Sequence, residues 1–285
     1  MSMPPLGLLL DVDGPVASPI TRTAAPALLE DLRRLLAAGV PVVLNTGRSA
    51  AFVGERVLRP LVAAGLPDGA RLHAVCEKGG VWTTAGRDGA AEVHVDAALA
   101  VPEICRDVLA ELVGNGYGDA MFVDATKRTM ATVEARTDVP AEFYAERQRA
   151  FDTDLAARLA AAGLGVRLHG RSVPGADGRT PWRIDPSVIA TDVESVRAGK
   201  ALGARRALNL LRADGPLPTT WHTVGDSRSD YGMADELHAL GAEVTHVDVG
   251  PQPPLRRPYP VRTVPGASYD AAGGEHLRAL AERLT

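Results

Sequence analysis

The chain opens with apolar runs separated by helix-period segments. Leu6–Val12 is a continuous apolar run of strand length, Ala24–Ala38 has the spacing of an amphipathic helix, Pro41–Asn45 is a second strand, Ser49–Ala64 a second helix and Leu72–Cys76 a third strand. Continuous apolar strands alternating with helices predict a parallel α/β sheet buried on both faces. Gly39 and Gly65 follow the two helices where a left-handed closing residue is wanted, which supports these boundaries. From about Gly86 to Thr191 the rhythm changes. Short segments at Ala91–Val95, Thr129–Ala135, Val166–His169 and Trp182–Ile184 alternate with two longer helices, Pro102–Val113 and Pro140–Ala162. Strands grouped between helices predict an α+β module with an antiparallel sheet. The first rhythm then returns, with helix Lys200–Arg212, strand Thr220–Val224, helix Asp230–Leu240, strand Glu243–Val249, a short strand Val261–Val264 and a closing helix Gly274–Leu284. The predicted organisation is an α/β core formed by residues 1–84 and 192–285, interrupted by an inserted α+β domain at 85–191.

Parallel sheets bind ligands at the carboxyl ends of their strands, so the polar residues there are the candidate chemistry. The first strand runs into Asp11-Val12-Asp13-Gly14, the second into Asn45-Thr46-Gly47-Arg48, and Thr220–Val224 into Gly225-Asp226-Ser227-Arg228-Ser229-Asp230. Asp-x-Asp-Gly alone reads equally well as a turn, since Asp and Gly favour turns for local reasons. Carboxylates delivered by separate strands to one sheet edge are a different matter, because they repel one another unless a cation lies among them. An oxygen-only ligand set suits a hard cation, and magnesium needs only one or two carboxylates beside a substrate phosphate.

These residues resemble the haloacid dehalogenase-like (HAD) superfamily of phosphotransferases. Its four motifs are Asp-x-Asp-Gly, a Thr or Ser after the second strand, a Lys, and a late Gly-Asp-x-x-x-Asp, all with counterparts here in order. The insertion between Thr46 and the Lys is similar to the large cap of the sugar-phosphatase branch, with its Cof-like, trehalose-phosphate, sucrose-phosphate and phosphomannomutase relatives. The resemblance implies a Rossmann-like core with a cap. It also implies a Mg2+-dependent phosphomonoesterase acting on a small phosphorylated metabolite, with a sugar phosphate as the expected substrate. Asp11 would be the nucleophile that forms an aspartyl-phosphate, and Asp13 the acid that protonates the leaving oxygen and then activates water. Asp11, Asp226 and the backbone carbonyl of Asp13 would hold the metal, with Asp230 ligating it through water or orienting a ligand. Thr46, with Gly47 and Arg48, would bind the phosphoryl group, and Lys200 would neutralise phosphate and Asp11. On the insertion, Lys127 and Arg171 are the candidates for the substrate's distal end, ahead of Arg128, Arg136, His169 and Arg183.

Three places depart from the family pattern: Gly199-Lys200 stands where the family often has Lys-Gly, which leaves Arg197 as a substitute candidate for the lysine. Pro15 stands where a small residue is usual, and Glu77-Lys78-Gly79-Gly80 carries Lys78 where the family has Asn. A phosphomutase of the same superfamily is the alternative reading, since it needs the same two acids. A phospho-receiver would place its phosphoacceptor after the third strand, which here runs into Cys76-Glu77, and it would carry no large insertion. A silent sugar-phosphate binder would not need the full set of acids.

Composition narrows the partners. A net charge of -4 over 285 residues, with 23% charged and 46% hydrophobic residues, offers no basic surface for nucleic acid. The two cysteines, Cys76 and Cys105, lack metal or disulfide spacing and read as buried thiols. Met1–Pro5 has no basic region, the apolar run after it is cut short by Asp11, and no later segment has membrane-spanning length. The expectation is a cytoplasmic monomer or homodimer without nucleic-acid or membrane partners.

Overall fold

The computed structural model describes residues 4, 6–86 and 89–284, so Met1–Met3 and Pro5 of the N-terminal stretch lie outside the described residues. The chain divides into two compact units, Met1–His94 with Gly199–Thr285, and Val95–Ala198. The breaks expected after residues 84 and 191 therefore fall after 94 and 198.

The first unit is a mostly parallel α/β sheet. Its strands run, from one edge, Val261–Arg262, Glu243–Asp248, Thr220–Gly225, Gly7–Leu10, Val42–Asn45, Leu72–Cys76, Val81–Gly86 and Gly89–Ala90. The first six are parallel and the last two antiparallel to their neighbours. The apolar strands are buried on both faces because alternate side chains enter different cores. Leu8, Leu10, Val42 and Leu44 pack with Leu32, Leu35, Leu61 and Leu277 on one side. Leu9, Val43 and Val75 pack with Ala204, Leu208, Met233 and Leu237 on the other. Register then decides what meets at the carboxyl edge. Leu10 lies beside Leu44 on one side and Val224 on the other, so Asp11, Asn45 and Gly225 are delivered to the same level.

Three local features differ from the sequence-based expectation. The helix expected over Ser49–Ala64 spans 50–63 but widens to π geometry at Gly54–Leu58. Pro60 lies just beyond, and a proline in a helix interior cannot donate to the preceding turn and crowds it. The segment Ala91–Val95 is not one strand: only Gly89–Ala90 and His94–Val95 pair. The closing helix begins at Tyr269, well before the expected Gly274. Its small residues Ala272, Gly273 and Gly274 lie buried in the interior, and a Cβ on Gly273 would come 2.0 Å from the carbonyl oxygen of Pro15. Gly273 therefore permits the helix to touch the loop that follows Asp13.

The second unit is a six-stranded sheet in the order Arg171–Val173, Val166–Leu168, Trp182–Pro186, Ala190–Ser195, Ala131–Ala135, Met121–Val123. All neighbours are antiparallel except Val166–Leu168 with Trp182–Pro186. Helices Glu103–Leu112 and Ala141–Ala161 bury Cys105, Leu109, Phe151, Leu155 and Leu159 against Met121, Val133, Ile184 and Val193. Ala190–Ser195 was not expected as a strand. Asp192 and Glu194 on its other face break the apolar pattern; Asp192 accepts from the Thr132 hydroxyl at 2.7 Å, and Glu194 Oε1 accepts from Arg183. Both cysteines are buried and unpaired by disulfide.

Candidate active site

Asp11 follows its strand directly, its N–H still donating to the Val224 carbonyl at 2.9 Å. Its Oδ1 accepts from the Val12 N–H at 2.7 Å and lies 2.7 Å from Lys200 Nζ. The same ammonium lies 2.6 Å from Asp230 Oδ1 and donates to the Asn45 carbonyl at 2.8 Å. Lys200 thus spends its donors on the ends of two strands and the start of the helix Tyr231–Ala239. It is placed there by Asn45, whose side-chain amide donates back to the Lys200 carbonyl at 2.9 Å. A Cβ on Gly203 would come 2.0 Å from Asn45 Oδ1, so glycine one turn into the Lys200–Asp214 helix lets it approach this closely. The order Gly199-Lys200 in place of the family's Lys-Gly still delivers the ammonium to Asp11.

Asp230 organises the late acidic loop. Its Oδ2 accepts from the N–H groups of Asp226 and Ser227 at 3.2 and 2.9 Å and from the Ser227 hydroxyl at 2.6 Å. Asp226 then projects beside Asp11, and one ligand atom each from Asp11, Asp226 and Asp230 lie within 4.8 Å of one another. Gly14, with φ of 93°, makes room: a Cβ there would lie 2.6 Å from Asp226 Cγ.

Electrostatics test whether a cation fits this set. Burial, followed by the charge of Asp230, pushes the Asp11 carboxyl well above its ordinary range despite Lys200. Burial and Asp230 likewise push Asp226 up to about 7. Asp230 goes the other way: burial alone would raise it, but Lys200 and the Ser227 bonds outweigh burial and hold it below its ordinary value. Lys200 is raised, Asp11 and Asp230 overcoming the lowering effect of its burial. Two of the three carboxyls are therefore held in surroundings that disfavour their charged forms. A divalent cation among oxygen donors relieves that repulsion, and the donor set suits magnesium.

Thr46 is fully buried, its N–H on the Val75 carbonyl at 2.9 Å and its Oγ1 accepting from the Arg48 N–H at 3.1 Å. Ser49 caps the next helix, accepting from the Phe52 N–H. Arg48 differs from expectation. Its guanidinium forks onto both Asp13 oxygens at 2.9 to 3.1 Å and lies 4.4 Å from the centroid of the Phe52 ring. Its charge is thereby directed at Asp13, which makes it a group that orients the second carboxyl. The Asp13 side chain is held by Arg48 and is not one of the three carboxylates whose ligand atoms lie together, so its backbone oxygen is the better candidate for a metal role.

Pro15 fits its turn without losing a bond. Val16 and Ala17 donate to the Val12 carbonyl and Gly14 to Ala17, so no donor is required at position 15. In the second unit, Lys127 is buried in the loop before Ala131–Ala135, whereas Arg171 lies exposed on the strand at the opposite sheet edge. They do not form one patch. Arg183 is committed to Glu194 and the Ala198 carbonyl, and Arg136 to Asp138. Asn45 was the positioning residue that sequence reasoning passed over; its place at the end of an apolar strand was the available signal.

Solved structures, one of them a haloacid dehalogenase-like hydrolase, share this fold over nearly the whole chain, which places the chain in the haloacid dehalogenase-like fold class. Trehalose-6-phosphate phosphatase from Aspergillus fumigatus is 17% identical with a TM-score of 0.52, over 98% of this chain and 93% of that one. A haloacid dehalogenase-like hydrolase from Bacteroides thetaiotaomicron is 12% identical with a TM-score of 0.60, over 96% and 98%. IMP-nucleotidase from Plasmodium falciparum is 12% identical with a TM-score of 0.54, over 97% of this chain and 62% of that one. No family model and no curated protein sequence matches the chain.

Proposed function

We propose that the protein is a magnesium-dependent phosphomonoesterase that hydrolyses a small phosphorylated metabolite, a sugar phosphate in the first instance. The observation that carries this reading is Lys200 Nζ held between Asp11 and Asp230, with Asp226 within ligand distance of both carboxylates. Asp11, Asp226 and Asp230, with the backbone carbonyl of Asp13, would hold Mg2+. Bound there, the ion would supply charge neutralisation for the carboxylates and the transferring phosphoryl group.

The chain's own groups account for the rest. Asp11 Oδ1 is engaged by Val12 and Lys200, which leaves Oδ2 as the oxygen that attacks phosphorus. As that bond forms, the bond from phosphorus to the substrate oxygen breaks, and protonated Asp13 gives its proton to the departing alcohol. Asp13, now a carboxylate, takes a proton from water, whose oxygen attacks the aspartyl-phosphate. Inorganic phosphate leaves and Asp11 is restored. Thr46 and the backbone amides around Gly47 hold the phosphoryl oxygens, and Arg48 sets the position from which Asp13 acts. In this reading residues 95–198 form the substrate-selecting module, and the fold's similarity to trehalose-6-phosphate phosphatase supports a sugar phosphate as the first class to test.

The test is phosphate release from a panel of phosphate esters with Mg2+ and with EDTA, for the wild type and Asp11→Asn. The expected result is Mg2+-dependent release that Asp11→Asn abolishes without unfolding the protein. An Asp11→Asn protein that kept its activity, or a wild type that released phosphate from no ester, would overturn the reading.

A further inference from the structure

Lys78 is a basic side chain beside the candidate phosphate-binding loop that none of these roles uses. It lies in the turn after Leu72–Cys76, where Glu77, Lys78 and Gly79 have φ values of 49°, 52° and 102°. Two successive non-glycine residues in the left-handed region are unfavourable and persist only where their surroundings impose them. Here the Glu77 N–H donates to the Arg48 carbonyl at 3.1 Å and the Lys78 N–H to the Thr46 carbonyl at 2.9 Å. The Lys78 carbonyl accepts from the Gly199 N–H at 2.8 Å. The backbone of Lys78 is bolted between the Thr46–Arg48 loop and the residue preceding Lys200. Asn or Gly would take this conformation at lower cost, so the turn itself supplies no reason for lysine.

The direction of the side chain does. A Cβ on Gly47 would lie 3.6 Å from Lys78 Cε and 3.9 Å from its Cγ. The aliphatic stem therefore crosses Gly47, and the ammonium, one bond beyond Cε, stands beside the loop whose Thr46 hydroxyl and amides are the candidate phosphate ligands. A phosphate monoester dianion held by this loop brings two negative charges to an already acidic sheet edge, and a cation beside the loop offsets one of them.

We propose that the Lys78 ammonium binds the phosphate of the substrate, forming with Thr46 and Lys200 a three-sided cradle that favours dianionic phosphate monoesters. This rests on the phosphomonoesterase reading above. The test is calorimetric titration of inorganic phosphate, with Mg2+ present, into the full-length wild type, Lys78→Asn and Lys78→Arg, together with their thermal midpoints and steady-state KM values on an ester from the panel. Lys78→Asn should weaken phosphate binding about tenfold and raise KM more than it lowers kcat, because a charge-assisted hydrogen bond is lost. Its midpoint should not fall, since Asn suits the left-handed turn, and Lys78→Arg should restore most of the binding. Phosphate binding unchanged in Lys78→Asn, or absent from the wild type, overturns the proposal. So does a loss that both variants share with a lowered midpoint, which marks a structural role. Phosphate binding that depends on Lys78 without hydrolysis of any ester would sink the phosphomonoesterase reading and leave the cradle standing.

Discussion

Replacing Asp226 by Asn should make the metal-free protein more stable, although it removes a candidate metal ligand. Burial, and next the charge of Asp230, push this carboxyl from 3.8 up to about 7, with Lys200 opposing and Asp13 adding to the rise. Below about pH 4 the group is protonated in both the folded and the unfolded chain, and its contribution is at its most favourable. Between that point and about pH 7 the unfolded chain releases the proton while the folded chain keeps it, so stability falls as pH rises. Above about pH 7 the whole penalty is present; a displacement from 3.8 to about 7 is worth about 4 kcal/mol. Asparagine keeps the shape of the side chain without the charge. In EDTA at about pH 8 the variant should exceed the wild type by about 2–4 kcal/mol in urea unfolding, and the two should converge near pH 4. Mg2+ should narrow or reverse the difference, because it stabilises the protein that binds it by mass action. A metal-free variant less stable than the wild type at pH 8, or equal stabilisation of both by Mg2+, would refute the placement of Asp226 in a site built around a cation.

Lys200→Met should cost about 3–5 kcal/mol in metal-free urea unfolding, because it leaves Asp11 and Asp230 buried together without their shared cation; a loss below about 1 kcal/mol would place the ammonium elsewhere. Part of that loss should return with Mg2+, which takes over the neutralisation. Gly273→Ala should cost about 1–3 kcal/mol by overpacking, since its Cβ would meet the Pro15 carbonyl at 2.0 Å and a backbone atom cannot swing aside. A neutral Gly273→Ala in the same assay would mean that the helix Tyr269–Leu284 does not press on the Asp13 loop in solution.

The parallel sheet was legible because its strands are continuous apolar runs closed by polar residues, and parallel register turns that pattern into a shared edge. Asp11, Thr46, Asp226 and Asp230 could be grouped on that basis, since each follows the carboxyl end of a strand. What the pattern does not encode is where a long side chain ends. Arg48, two residues after Thr46, was expected to face the substrate, yet its long, freely rotating stem carries the guanidinium onto Asp13. Asn45, one residue earlier, ties Lys200 in place through contacts 155 residues apart in sequence, which no local period reveals. The strand Ala190–Ser195 was missed for a related reason. Its charged face is satisfied by residues on neighbouring strands, and only those partners make Asp192 and Glu194 compatible with a buried sheet.

Two of the departures from the family pattern, Pro15 and Lys78, illustrate how a residue that looks anomalous in sequence becomes explicable through what it touches. Pro15 occupies a turn position with no donor to lose, and its carbonyl packs where only a residue without a Cβ can follow, so Pro15 and Gly273 form a matched pair separated by most of the chain. Lys78 is not called for by its turn. Its turn would be easier for Asn, the strain at Glu77 and Lys78 is imposed by bonds to Thr46, Arg48 and Gly199, and its side chain is laid across Gly47. A residue that costs the fold something and points at the candidate site is better explained by what binds there than by what it packs against. The same asymmetry holds for Asp226, whose charge the metal-free fold disfavours. Position 15 is matched within the fold, whereas on the reading proposed above positions 78 and 226 are matched to ligands, and stability measured with and without Mg2+ and phosphate separates the two kinds.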